Sequence, residues 1–443
     1  MTLRERTHWF ALHGVIRGLA SFGAKRGEMQ GRLIADPTVR ADPGGFADEL
    51  RATGRLVRGR AAWLTADHAL AHQLLRSDDF AVTSLGSTLP EPLRWLEAKT
   101  VVKGRMHPLL PPSLLSVEPP EHTRYRKTVS AVFTTRAVAA LRVRVQEAAA
   151  ALINDMGDAS NGIVGPVVEI VDRYCSQLPV TVIGDIIGVP DDERGRIFEF
   201  GELAAPSLDI GLPWQQYLRA ERGIDGFSDW LATHISRLRN NPGEDLMSQL
   251  IDASEDGTHL NDDELRATAG LVLAAGFETT VNLLGSGIRI LLEHPDQLAM
   301  LLEQPDLWPG AVEEILRLES PVQMSARVAR VDTEVAGHEV KAGELVILYL
   351  AGANRDPEVF GDPHRFDITR DNAGRHLSFS GGRHFCLGAA LARAEGEVGL
   401  RTFFERYPDA ALAGDGRRRD TRVLRGWSTL PIRLGEPRAA VVS

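Results

Sequence analysis

The stretch Phe379-Ser380-Gly381-Gly382-Arg383-His384-Phe385-Cys386-Leu387-Gly388 decides how the rest of the chain is read. A glycine pair, a cation, a histidine and a lone cysteine run directly into an alanine- and leucine-rich segment, Leu387 to Leu400. Leu387, Leu391, Ala394 and Val398 recur at helical spacing, so the segment reads as a helix with one apolar face. Cys386 then sits on a glycine-rich loop at a helix N-terminus. Unpaired backbone N–H groups and the helix dipole favour an anion there. Both are expected to lower the thiol pKa. A thiolate held this way is a nucleophile or a soft metal ligand, and amides donating to sulfur tune a thiolate-ligated iron. The bland alternative is a buried cysteine in a turn.

The spacing Phe379-x-x-Gly382-x-x-x-Cys386-x-Gly388 resembles the haem-binding loop of the cytochrome P-450 superfamily, and His384 is typical of its soluble bacterial members. Ser380 stands where that family carries a second glycine. Three further motifs, in the family's order, extend the resemblance. In Glu118-Pro119-Pro120-Glu121-His122-Thr123-Arg124-Tyr125-Arg126, two prolines and an acid start a helix that puts His122 and Arg126 on one face. The family has Asp where Glu118 stands. Ala275-Gly276-Phe277-Glu278-Thr279-Thr280 lies within a helix of about 30 residues, capped by Asn261 with Glu264 three residues on, and ending at His294-Pro295. A glycine, an acid and two threonines are poor mid-helix choices, and such a conflict points to function. Glu314-x-x-Arg317 has the spacing of a helical ion pair.

The resemblance implies a mainly α protein with a smaller β-rich region, the cytochrome P-450 fold. Residues 42–443 would form one haem domain behind a helical extension, residues 1–41. It implies haem b, with the Cys386 thiolate as metal ligand and Phe379, Ser380 and Gly388 around it. Ala275 and Gly276 would approach the haem, and His122, Arg126, Arg327 and His384 would hold its propionates. Glu278 and Thr279 would deliver protons as dioxygen is activated. Glu314 and Arg317 would be structural, joined by a third cation, Arg355 or Arg365. Leu85, Trp95, Leu271, Ala274, Val322, Met324 and Trp427 are the candidate pocket wall, and their apolar character suits a lipophilic small molecule. The implied activity is a monooxygenase that hydroxylates, O-dealkylates or epoxidises that substrate. With no flavin or iron–sulfur motif in the chain, electrons would come from a separate ferredoxin and an NAD(P)H-dependent reductase. Arg124, Lys127 and Arg136 could offer the donor a basic dock. Three alternatives stay open: a peroxide-driven peroxygenase, a haem protein acting on a carrier-bound substrate, and an ordinary helical protein without haem.

Bulk properties narrow the classes further. The chain has 443 residues, 43% hydrophobic and 25% charged, with net charge −10, which argues against a nucleic-acid partner. Its two cysteines make no disulfide framework and fit a reducing compartment; Cys175, in an apolar stretch, is expected to be an inert core thiol. Met1 to Gly23 starts basic, with Arg4 and Arg6, and continues apolar through Trp9, Phe10, Leu12, Val15, Ile16 and Leu19. His13 and Arg17 interrupt that run, so an amphipathic helix docked on the protein is expected rather than a signal peptide or a membrane-surface helix. No run of about 18 apolar residues predicts a membrane span. The expectation is a cytoplasmic monomer. Ser84 to Ser116, rich in Pro and Gly, reads as an irregular loop, and the resemblance implies that it caps the pocket. Leu203 to Trp214 reads as a break between two helices, a lid by resemblance. Strands are expected at Thr333 to His338 and Val340 to Tyr349, turning at Gly343.

Overall fold

The computed structural model describes residues 3–100, 106–130, 135–159, 165–255 and 260–438. Its centre is the helix Asp262–Glu293, 32 residues long. The Asn261 side chain accepts from the amides of Asp263 and Glu264, and Glu264 accepts in return from the Asn261 amide at 2.9 Å. This is the capping box expected from the sequence. The helix has the length and composition to cross a membrane, yet most of it is buried at the heart of the largest apolar cluster.

The helices Gln177–Ile187, Trp308–Leu318 and Ala389–Arg406 pack around it. Glycines set how close the last of these comes. A Cβ on Gly396 would lie 2.9 Å from Leu283 Cδ2, and one on Gly399 would lie 2.8 Å from Leu284 Cδ2. The helix that follows the cysteine loop is therefore pressed onto the central helix.

A five-stranded sheet holds a second core. Its strands are β1 (Val57–Arg58), β2 (Ala62–Thr65), β3 (Phe80–Ala81), β4 (Ser325–Ala329) and β5 (Leu345–Leu348), in the order β1-β2-β5-β4-β3. Only β2 and β5 run parallel within it. Arg327 lies opposite Val346 and is carried to its site by β4.

Two local expectations need correction. Ser84 to Ser116 is not irregular throughout: Glu91–Thr100 forms a helix, started by Pro90, whose carbonyl accepts from the Leu93 amide. The strand expected at Thr333 to His338 is instead a hairpin, Thr333–Val335 paired with His338–Val340. It turns at Ala336-Gly337, both in the left-handed region, and Gly343 belongs to the next turn. Cys175 is buried, and burial raises its thiol well above the ordinary range. The N-terminal helices Leu3–Trp9 and Val15–Ala24, joined by a π turn at Phe10–Gly14, dock on the protein.

Candidate functional site

The cysteine loop is closed by the Cys386 amide donating to the Phe379 carbonyl at 2.9 Å. Gly382 has φ +63°, and a Cβ there would run into the Leu75 carbonyl. Ser380 has φ +61°, a conformation that suits glycine and costs another residue about 1 kcal/mol. The helix begins at Ala389, later than the sequence suggests, with Gly388 at its cap. Among the described residues, the Gly388 amide is the one that bonds to sulfur. Burial pushes the half-buried Cys386 thiol up, and the Gly388 amide, Arg126 and Arg393 do not reverse it. The expected lowering of its pKa is thus not realised by the protein's own groups. A metal cation at the sulfur would remove the proton outright.

The loop is gripped from below. The Arg393 guanidinium lies 4.6 Å over the Phe379 ring, and Glu313 accepts from Arg393 Nε at 2.5 Å. His376 Nε2 is 3.1 Å from the same carboxylate. Burial alone would raise the Glu313 pKa, but His376 and Arg393 hold it at about 2. Nothing in the motif flagged Glu313. Its neighbour Glu314 pairs with Arg317 at 2.7 and 2.8 Å, both fully buried. Arg317 also donates to the carbonyls of Asn354, Pro363 and Arg365. The third cation is neither Arg355 nor Arg365 but Arg370, with Nε 3.2 Å from Glu314 Oε1. Arg365 offers Arg317 its carbonyl, and Arg355 is turned toward the Ala351 carbonyl and Glu319.

Above the loop, the helix Glu121–Ser130 brings His122 within 4.3 Å of the His384 ring, centroid to centroid. Among the described residues, His122 Nε2 and Arg327 Nη2 are buried and have no hydrogen-bond partner, while His384 Nε2 faces the Glu118 carboxylate at 3.5 Å. All three residues neighbour Glu118 or Arg383. Burial, then His384 and Arg126, lowers the His122 pKa to about 4. Burial lowers Arg327 to about 10, still cationic. Burial would raise Glu118, but His384, the Val82 amide and Arg383 hold it at about 2. Such a set, two imidazoles and a guanidinium, suits a ligand carrying carboxylates. Arg126 is partly committed elsewhere, donating to the Phe385 carbonyl at 2.7 Å.

On the central helix, Ala275 is accessible and Thr279 partly so, although their neighbours Phe277 and Glu278 are buried. Thr279 Oγ1 donates to the Ala275 carbonyl at 2.7 Å. This is the back-bond expected of a mid-helix threonine. A Cβ on Gly276 would meet Ile183 Cδ1 at 3.2 Å, so this glycine serves helix packing. Glu278 and Thr279 do not touch. Adjacent helix positions face different ways. Glu278 turns to Arg419, Nε to Oε1 3.1 Å, and Arg419 also reaches Glu202 at 3.0 Å. Burial raises the Glu278 carboxyl to about 7 against the pull of Arg419. Arg419, some 140 residues further on and just after the strand Arg417–Arg418, carried no signal in the sequence.

The predicted pocket wall is only partly assembled. Leu271, Ala274, Val322, Leu85 and Met324 are half-buried, and Met324 lines a narrow cleft with Gln323, Tyr349 and Leu424. Two residues are corrections. Trp95 is 62% exposed on its helix. Trp427 is buried against Gly285, with Arg418 stacked 3.8 Å from its ring, so it is a packing residue. The proposed dock changes too. Arg124 is bidentate on Glu264, at 2.6 and 2.9 Å, so its charge is matched. Lys127 is exposed, and the side chain of Arg136 lies outside the described residues.

Comparison with known proteins gives a consistent picture. The cytochrome P450 family model matches residues 210–306 and 306–416. Cytochrome P450 140 of Mycobacterium tuberculosis (strain ATCC 25618 / H37Rv) is 63% identical over 443 residues, covering 99% of this chain and 100% of that protein. The 6-deoxyerythronolide B hydroxylase of Saccharopolyspora erythraea is 42% identical over 322 residues, covering 72% and 76% of the two chains. Among solved structures, P450BioI in complex with an acyl carrier protein ligated to hexadec-9Z-enoic acid superposes with TM-score 0.80 at 31% identity. That match covers 90% of this chain and all of that one.

Proposed function

This chain belongs to the cytochrome P450 family, a haem-dependent monooxygenase family, and from that premise we propose which residues do the work. Cys386 would bind the iron of haem b as a thiolate. His122, His384 and Arg327 hold the propionates, with Arg126 beside them bracing the cysteine loop. Residues 42–443 form the haem domain and residues 1–41 an extension. The single observation that carries this reading is the pair of buried donor atoms, His122 Nε2 and Arg327 Nη2, that find no partner among the described residues, beside the His384 ring. Leaving such groups without partners is costly, and two carboxylates would satisfy both of them.

Bound haem supplies the oxygen chemistry, and the protein contributes orientation, a dry wall and protons. The Phe379 ring and the Glu313–Arg393–His376 cluster fix the loop that presents the sulfur. Ala275 and Thr279 form the open stripe of the central helix on the substrate side. Thr279 keeps its hydroxyl hydrogen on the Ala275 carbonyl, and its Oγ1 is free to accept a hydrogen bond. Glu278, raised to about 7, exchanges protons near neutral pH. Its carboxyl must leave Arg419, or act through a water, to serve Thr279.

The substrate is a lipophilic small molecule, admitted between Glu91–Thr100 and the break at Ala205–Trp214. The electron donor is a ferredoxin, fed by an NAD(P)H-dependent reductase, that meets the face marked by the exposed Phe385 ring, Arg126 and Lys127. The protein is a cytoplasmic monomer. A carrier-bound substrate is a second reading, favoured by the likeness to P450BioI solved with its acyl carrier protein. A spin-state shift with free lipophilic compounds supports the first reading. A shift seen only with acyl carrier protein conjugates supports the second.

The residue assignment is tested at Cys386. Reduced, carbon-monoxide-bound Cys386→Ala is expected to lose the red-shifted Soret band of thiolate ligation, while Cys175→Ala keeps it. An unchanged spectrum for Cys386→Ala overturns the assignment.

A further inference from the structure

We propose that the N-terminal helix pair, residues 3–24, is a clasp that selects ligands by size, because it ties together the two segments bordering the pocket entrance. The inference rests on the reading that ligands pass between Glu91–Thr100 and the break at Ala205–Trp214.

One end of the clasp holds the first segment. Arg4 Nε donates to the Thr100 carbonyl at 3.0 Å, and His8 Nδ1 lies 3.1 Å from Thr100 Oγ1. The other end holds the second. Trp9 Nε1 donates to the Leu212 carbonyl at 2.9 Å, and the Leu212 amide donates to His13 Nδ1 at 3.4 Å. Both backbone polar groups of Leu212 are therefore satisfied by the clasp. Arg17 Nη1 reaches the Gly211 carbonyl at 3.4 Å, and the Trp9 ring meets Trp214 edge-on at 5.6 Å. His13 is buried at this junction, and burial, with His8, His107 and Arg422 nearby, keeps it neutral at any working pH. Its Nδ1 stays an acceptor.

The π turn Phe10–Gly14, a distortion found often at functional sites, carries His13 and is flanked by Trp9 and Arg17, so it lies within the contacts to residues 211–214. The lid loop is anchored on its far side as well. Asp209 accepts from the amides of Arg422 and Val423, and Arg422 Nη1 donates to the Ile34 carbonyl at 2.6 Å. Gly211 and Leu212 cannot swing outward until the clasp contacts break. Because one helix pair holds both borders, they part together. A small ligand can slip past. A bulky one must wait for release.

The test uses the full-length haem-loaded protein and the double variant Trp9→Ala/Arg17→Ala. Hydrogen exchange at residues 209–217 and 91–100 is expected to quicken about 10-fold, with Trp308–Leu318 unchanged. Stopped-flow Soret shifts are expected to show econazole associating about 3- to 10-fold faster and imidazole at the parent rate. Thr100→Val, a milder change that removes the His8 contact, should quicken exchange at residues 91–100 most and at residues 209–217 to a smaller extent. Unaltered exchange in both variants overturns the clasp. Faster exchange with both ligands at parental rates overturns its role in selection. No Soret shift by either ligand in the parent protein instead overturns the haem reading beneath it.

Discussion

Arg419 Nε stands 3.1 Å from Glu278 Oε1, and the same guanidinium reaches Glu202, a partly exposed residue of the helix Arg194–Ala204, at 3.0 Å. One cation thus bridges a buried acid on the central helix to an acid near solvent. Burial raises Glu278 to about 7, Arg419 lowers it, and Glu202 adds to the rise. Removing the cation favours the neutral form, so Arg419→Met should move Glu278 ionisation to higher pH. The product formed per NADPH, followed against pH, should shift the same way, and Arg419→Lys should restore part of the shift. Glu278→Gln should lower turnover about 100-fold with spectral substrate binding intact. An unmoved pH profile in Arg419→Met would deny Arg419 any hold on the acid.

The unpartnered donors above the cysteine loop predict how tightly the cofactor is kept. A charge-assisted hydrogen bond contributes about 1.5–3 kcal/mol. His122→Ala and Arg327→Ala should each release haem to a scavenging apoprotein about 10- to 100-fold faster than the parent. Rates equal to the parent would mean that these atoms serve something else.

Ser380 at φ +61° is strained where a glycine would not be. Ser380→Gly should therefore raise stability by about 1 kcal/mol, read as a higher denaturant midpoint at unchanged slope. The Soret spectrum should not change, because the backbone path to Cys386 is kept.

Glu395 is buried on the helix Ala389–Arg406, with Thr280 Oγ1 at 3.5 Å as its polar neighbour. Burial raises its carboxyl from 4.5 to about 8. Between those values the folded chain binds a proton that the unfolded chain releases, so this group's contribution falls as pH climbs from 4.5 to 8. Glu395→Gln should lack that decline. Urea unfolding at pH 5 and pH 8 should show the variant gaining on the parent only at the higher pH.

Legibility from sequence followed the range of the forces involved. The central helix was readable because capping is local: Asn261 and Glu264 are three residues apart, and His294-Pro295 stops the helix. The ion pair Glu314–Arg317 was readable because helical spacing fixes it. Its third cation was not, since Arg370 arrives through a turn whose carbonyls are already held by Arg317. The thiol went the other way from expectation because the helix starts at Ala389, leaving a single amide on the sulfur while burial dominates. Trp427 resembled a pocket aromatic in sequence, but folding placed it beneath Arg418 in the core.

What the amino-acid sequence determined by itself was the family, the cysteine loop, the capped central helix and the residues able to face a carboxylated cofactor. Those depend on side-chain chemistry and on spacings within a turn or two, which the chain carries wherever it goes. Only the tertiary structure decided which charges neutralise one another. Arg419 on Glu278, Arg124 on Glu264, Arg370 on Glu314 and the N-terminal helices on Leu212 are all pairings between segments far apart in the chain. Their geometry exists only once burial has brought those segments together, because desolvation and hydrogen-bond distance, not sequence separation, set their strength.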